Sequence, residues 1–242
     1  MISSERSNLS IHVATTLDET HEALSVGRQI WGEDSIRDFD VYFVAATHGG
    51  YLATARVEGR PVGMSFGMLS DGGRGLHSHM TGVIPEAAGE GVGLQLKLHQ
   101  RVWAAAKGIE AITWTFDPLV RRNAWFNLVR LGATVTDYRV NYYGALGDAI
   151  NGDDETDRLH VSWLVDASPG PVEPPTVVAQ PTDVVVSTPA DVETIRLNGL
   201  QEGGRSSREW RLHMRTELFD RMQDNWALIG FTSGYDYVLR QL

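Results

Sequence analysis

Apolar and polar residues recur along this chain with two periods, and they predict a regular succession of strands and helices. Ile11-His12-Val13-Ala14-Thr15-Thr16 reads as a short strand. Asp18 and Glu19 then open an amphipathic helix that runs to Ile30-Trp31 and stops at Gly32. Asp40 to Ala46 is predicted helical. Tyr51 to Val57 and Val62 to Leu69 are β-rich runs joined by Glu58-Gly59-Arg60-Pro61, a hairpin signal. A second turn, Asp71 to Gly75, feeds a strand from Leu76 to Val83. From Gly91 to about Lys107 the spacing turns helical, with Leu94, Leu98, Val102 and Trp103 predicted as a core-facing stripe. A strong strand, Glu110 to Phe116, ends at Asp117-Pro118. A helix from Arg121 to Leu131 is closed by Gly132. Strands are predicted again over Thr134 to Tyr143 and Arg158 to Val165.

Beyond this the pattern changes. Pro169, Pro171, Pro174, Pro175 and Pro181 make residues 167–181 an extended linker. Residues 182–242 predict a short strand (Val184 to Val186), a helix from Asp191, and a longer helix from about Ser206 to Asn225. Two apolar runs follow, Trp226 to Phe231 and Tyr235 to Leu239. The expected division is therefore a main domain over 8–166, the linker, and a small C-terminal α/β extension over 182–242. That extension is too short for an independent enzyme. Its helix running into Ile229-Gly230-Phe231 and a strand hints at a partial second copy of the main fold.

Composition narrows the chemistry. With 42% hydrophobic and 21% charged residues, the chain reads as an ordinary globular protein. Its longest apolar runs fall well short of the roughly 20 residues that cross a bilayer, so no membrane association is expected. Met1-Ile2-Ser3-Ser4-Glu5-Arg6 lacks a basic flank followed by an apolar core, so a cytoplasmic location is the expectation. The absence of cysteine removes disulfides, thiolate metal sites and a Cys nucleophile together, and no metal is expected. A formal charge of −10 argues against a nucleic-acid partner. An anionic ligand would have to be held locally, by backbone amides and nearby cations. Lys97, Arg101 and Lys107 lie on the helix after Gly91, and Arg121, Arg122 and Arg130 on the next; each is also readable as part of a solvated face.

The segment from Val83 to Leu94 contains Gly89, Gly91 and Gly93 between a strand and a long helix. Glycines at a helix mouth leave backbone N–H groups unpaired and unshielded, with partial positive charge that suits a phosphate or pyrophosphate. A P-loop would need Gly-Lys-Ser/Thr where Gly93-Leu94-Gln95 stands. A dinucleotide site would need Gly-x-Gly-x-x-Gly and an acidic residue ending the next strand. Here the spacing is Gly89-x-Gly91-x-Gly93, and Glu110 begins its strand.

Val83-x-Pro85, followed by Gly91-x-Gly93, a helix, a strand, and a helix with Asn123 ending in Leu131-Gly132, resembles the GNAT family of acyl-CoA-dependent N-acyltransferases over roughly residues 10–166. Ala88 stands where that family usually has Arg or Gln, and Ala133 where it has Phe. The resemblance implies an α/β (α+β) fold with a mixed central sheet that splays at the cofactor strand and is flanked by helices. It implies acetyl-CoA or another short acyl-CoA as co-substrate. Its pantetheine would pair with the backbone near Thr81, Gly82 and Val83, and its pyrophosphate would rest on the amides of Gly89, Glu90, Gly91, Val92, Gly93 and Leu94. Asn123, Phe126 and Arg130 would line the other wall, Phe126 being equally readable as core.

Acylation of an amine needs a neutral nucleophile, and imidazole is the side chain best matched to removing a proton near neutral pH. His77 and His79 alternate along the strand before the glycines, which predicts that both face the same way. Their placement resembles that of the proton-relaying histidines of arylalkylamine N-acetyltransferases; the bland reading is hydrogen-bonded strand residues. Many family members place a Tyr acid where this chain has Leu128, so Tyr138, Tyr142 or Tyr143 would have to replace it, or the thiolate leave unaided. Asp117 is a candidate to orient the ammonium or, equally, to cap the helix after Pro118. The expected activity is acyl transfer to a small-molecule amine or amino acid by direct attack in a ternary complex. A succinyl-CoA-dependent amino-acid N-succinyltransferase and a non-catalytic acyl-CoA-binding module are the alternatives. The oligomeric state is open, a homodimer included.

Overall fold

A computed structural model describes residues 8–144, 155–165 and 176–242. Most of the proline-rich linker lies outside these residues. The chain forms two compact units, one of residues 1–113 with 164–167, the other of 114–163 with 168–242. The division falls inside a strand.

In the first unit, β1 (Leu9–Val13), β2 (Tyr51–Val57), β3 (Arg60–Ser70) and β4 (Gly75–Val83) pair antiparallel in chain order. The β2–β3 turn works because Glu58 and Gly59 both take positive φ, 50° and 79°, the combination a two-residue hairpin requires. β5 (Ala111–Phe116) then adds parallel to β4, making the sheet mixed. This parallel ladder runs over three residues only, Gly75–His77 against Ala111–Thr113. Among the described residues, Met80 to Val83 find register partners on β3 alone.

Helix α1 (Leu17–Trp31) starts at a capping box, Thr16 accepting from the Glu19 amide while Glu19 accepts from that of Thr16. α2 (Phe39–Thr47) follows it, as predicted from the apolar run. α3 (Val92–Ala106) lies on the other face of the sheet. The opposition follows from alternation: a Cβ at Gly63 would meet Leu96 and Val92 of α3, whereas Phe66 packs against Tyr42 of α2.

α3 does not bury the predicted stripe. Its buried residues are Val92, Leu96, Lys97, Gln100 and Ala104, while Val102 is 70% exposed and Leu98 37%. The sheet beneath it presents Ser65, Ser78 and Thr81, and hydroxyls there are matched by Lys97 and Gln100 rather than by leucines.

In the second unit, the end of β5 is followed by β7 (Arg158–Leu164) and then β6 (Thr134–Arg139) in strand order. α4 begins at Arg121–Ala124 and widens into a π-helical turn over Trp125–Arg130. A separate three-stranded sheet holds β8 (Val184–Ser187), β10 (Asp236–Gln241) and β9 (Trp226–Phe231), in that spatial order. α5 (Val192–Asn198) and α6 (Ser207–Met214), the latter extended by a π-turn over Arg215–Asp220, lie between β8 and β9 in the chain. The strand–helix–helix–strand–strand succession matches the start of the first unit, but the pairing does not. β1 lies beside β2, whereas β8 lies beside β10, so residues 182–242 do not repeat the topology.

Candidate active site

The register between β3 and β4 shifts at one point. Phe66 pairs with Met80 and Gly67 with Ser78, which leaves His79 as an extra residue in a β-bulge. Bulging reverses the alternation beyond it. Ser78 and Thr81 both face α3, while His77, His79, Met80 and Gly82 face α1 and α2. The two histidines thus share a face, with ring centroids 6.3 Å apart.

His77 is half-buried, its Nδ1 lying 3.4 Å from the Thr113 hydroxyl on β5. The His79 ring stands edge-on to Phe66 at 6.3 Å. Although His79 retains an exposed surface, enough protein surrounds its ring for desolvation to lower its pKa. The imidazole is therefore held neutral near pH 7, the form that accepts a proton.

Gly82 owes its identity to packing. A Cβ there would lie 2.6 Å from Trp31 Cζ2 and 3.0 Å from Ile30 Cγ2, so α1 closes on β4 only over a glycine. Thr81 is committed to α3 through Ser65, and Val83 contacts the Gly93 side of the loop. The backbones of these residues remain as expected at the end of β4.

The glycine mouth has the predicted form. Gly89 and Gly91 take φ of 85° and 82°, and a Cβ at either would meet no atom within 4 Å. Gly91 is the N-cap of α3 and no side chain caps the helix. Its first-turn amides, Val92, Gly93 and Leu94, therefore keep the donor capacity that helix N-termini lack partners for. Glu90 is exposed beside them. An open helix N-terminus with no atoms crowding Gly89 or Gly91 is compatible with a pyrophosphate.

A buried polar chain went unread in the sequence. Lys97 is 3% exposed, and its Nζ donates to Ser78 Oγ at 3.0 Å and to Gln100 Oε1 at 2.9 Å. Gln100 Nε2 donates to Ser65 Oγ at 3.2 Å, which is 2.8 Å from Thr81 Oγ1. Burial lowers the Lys97 pKa to about 7. A lysine among leucines at helical spacing carried no signal of this; only the position of Ser78 beside the bulge reveals it.

The remaining candidates belong to the second unit. Asn123 and Phe126 are partly exposed on α4 and its π-turn, as is Arg130 at the end of that turn. Leu128, at the place of the usual Tyr, is buried. Tyr138 is also buried and donates to Asp157 Oδ2 at 2.7 Å; burial and then the Asp157 charge raise its pKa, so it is spent on structure. Tyr142 is exposed, and Tyr143, exposed too, lies 3.2 Å from the Thr115 hydroxyl.

Of the two roles open to Asp117, its contacts are those of a cap. It caps the Pro118 turn, accepting from the Leu119 amide at 2.9 Å, but neither oxygen is available to an ammonium. Arg211 binds both, at 2.7 and 3.0 Å, and Arg196 adds 2.6 Å to Oδ2. Burial pushes the carboxyl pKa up, but Arg211, then Arg196 and Arg158, outweigh it and hold it well below the usual carboxylate range. Asp117 is the charge centre of the second unit, not a proton carrier. Asp157 plays a parallel part, bound by Arg215 at 2.7 and 2.8 Å.

A mixed sheet whose histidine-bearing strand runs into an uncapped glycine mouth agrees with the fold that the GNAT resemblance implies. Residues 4–117 match the family described as Acetyltransferase (GNAT) domain. No curated protein sequence matches the chain. Among solved structures, the ribosomal-protein-S18-alanine N-acetyltransferase from Escherichia coli has a TM-score of 0.53 at 13% identity, covering 67% of this chain and 97% of its own. An N-acetyltransferase from Staphylococcus aureus Mu50 reaches 0.54 at 14% identity, covering 66% and 100%. An acetyltransferase from Bacillus cereus ATCC 14579, described as IAA acetyltransferase, gives 0.51 at 15% identity over 65% and 99%. At these identities the likeness is one of fold.

Proposed function

We propose that this protein transfers an acetyl or other short acyl group from acyl-CoA to the amine of a small molecule or amino acid, by direct attack in a ternary complex. The observation that carries this reading is the continuity of one segment. β4 bears two imidazoles on one face, and eight residues after Val83 the chain opens the uncapped mouth of α3. Bound acyl-CoA supplies the activated acyl group as a thioester.

The amides of Gly89 to Leu94 hold the pyrophosphate, and left-handed Gly89 and Gly91 keep side chains out of its way. The backbone of Thr81, Gly82 and Val83 offers hydrogen bonds to the pantetheine, since the ladder of β4 with β5 stops at His77. His79, neutral near pH 7, takes a proton from the substrate ammonium, and the freed amine attacks the thioester carbonyl; the C–S bond breaks, CoA leaves as its thiolate, and His77 passes the proton on, the 6.3 Å between the rings being room for one bridging water. Asn123, Phe126 and Arg130 are assigned to the cofactor by the resemblance. No covalent enzyme intermediate is needed, in keeping with a chain without cysteine.

The test is thiol release from acetyl-CoA and succinyl-CoA with a panel of amines and amino acids, comparing the parent with His77→Ala, His79→Ala and the double variant. Amine-dependent release that falls about 100- to 10,000-fold in the double variant is expected of a general base. Activity that survives loss of both histidines removes them from the mechanism. Acyl-CoA binding that no amine converts to thiol release identifies a binding module instead.

A further inference from the structure

We infer that Lys97 is a positioning residue for the proposed reaction, clamping both ends of the β4 bulge to α3 so that His77 and His79 are aimed from a fixed strand. This rests on the N-acyltransferase reading. The clamp is a chain of five side chains. Lys97 Nζ holds Ser78, the residue before His79, and through Gln100 and Ser65 the chain reaches Thr81, two residues after it. Every link is between 2.8 and 3.2 Å.

Lys97, Gln100 and Ser65 are buried, and Ser78 is 5% exposed. A β-bulge leaves one residue unpaired and the ladder locally disrupted, with the strand bent there. Tethering its two flanks to one helix replaces the missing ladder bonds with side-chain ones. The same helix forms the glycine mouth at its N-terminus. A helix that holds the cofactor and a strand that holds the bases are thereby set in one frame, and errors of about 1 Å in such placement cost roughly a hundredfold in rate. An apolar core residue at 97 would support the helix equally well; it would leave the bulge untied.

The variants are Lys97→Met, which keeps length and volume, and Ser78→Ala, a smaller change on the same bond. Each is expected to lower kcat at least tenfold while the KM for acetyl-CoA stays within twofold, and the pair together is expected to cost no more than either alone. Since the chain has no cysteine, Lys97→Cys aminoethylated in denaturant and refolded restores an amine at this one site, and is expected to recover most of kcat. Imidazole NMR signals of His77 and His79 report the same clamp without turnover, and are expected to broaden or double in Lys97→Met and Ser78→Ala. If Ser78→Ala and Lys97→Met fold with parental kcat and sharp imidazole signals, the positioning role is wrong. If the parent itself shows no amine-dependent thiol release while the signals broaden in both variants, the clamp stands and the reading of the reaction fails.

Discussion

Replacing Asp117 by Asn separates a structural carboxylate from a catalytic one. Asn keeps the shape and one carbonyl acceptor but removes the charge that neutralises Arg211 and Arg196, whose side chains are 2% and 5% exposed. Breaking a buried ion pair from one side costs about 3–5 kcal/mol, because the partner is left charged and out of water. Two guanidiniums share this carboxylate, so the upper half of that range is expected, against about 5–15 kcal/mol for a whole domain. Urea unfolding followed by tryptophan fluorescence reads the second unit well, since Trp114, Trp125, Trp163, Trp210 and Trp226 all lie there. The pH dependence has a definite sign. The folded pKa is below the unfolded one, so the stabilisation is complete above about pH 4 and drains away as pH falls toward the folded value. Asp117→Asn is expected to lack this acid-side loss. A variant within 1 kcal/mol of the parent at pH 7, or one that folds normally and has lost amine transfer alone, would refute the structural assignment.

Lys97 gives a linkage of the same sign in a higher pH window, because here it is the charged form that the fold disfavours. Its folded pKa, about 7, lies below the ordinary lysine value of 10.5, so charging it penalises the fold, and the penalty lifts as pH rises between those values. The parent is expected to gain about 2.5 kcal/mol over Lys97→Met between pH 6 and pH 9, read as the difference of their urea-unfolding free energies; a difference under about 0.5 kcal/mol contradicts a buried, titrating amine. Gly91→Ala places a side chain in the open mouth of α3 at a left-handed φ of 82°, and is expected to cost about 1 kcal/mol of stability. It should also raise the acetyl-CoA KM by tenfold or more at near-parental kcat; an unchanged KM would move the pyrophosphate elsewhere.

Much of the first unit was legible because its signals are local. The hairpin around Glu58-Gly59, the start of α1 near Asp18 and the glycines before α3 each depend on a few adjacent residues, and each stands close to where the pattern put it. The burial of α3 was not legible, since periodicity assigns leucines to the core and has no means to see hydroxyls on the sheet below. His77 and His79 do share a face, yet the bulge that sets their surroundings leaves no mark in an alternating run. Asp117 was ambiguous for a longer-range reason. Its partners Arg196 and Arg211 lie 79 and 94 residues away, in a segment whose composition suggested an appendage. Those pairs, with Asp157–Arg215 and the Tyr237 hydroxyl donating to the Pro118 carbonyl at 2.8 Å, make residues 182–242 part of the same compact unit as residues 114–163.

The most direct measurement is product stoichiometry by mass spectrometry, with purified protein, acetyl-CoA and an amine that stimulates thiol release. Equal amounts of free CoA and N-acetyl amide, formed only when both substrates are present, are the predicted result. Free CoA without acylated amine, or an acetyl group left on the protein itself in stoichiometric amount, would contradict direct transfer in a ternary complex.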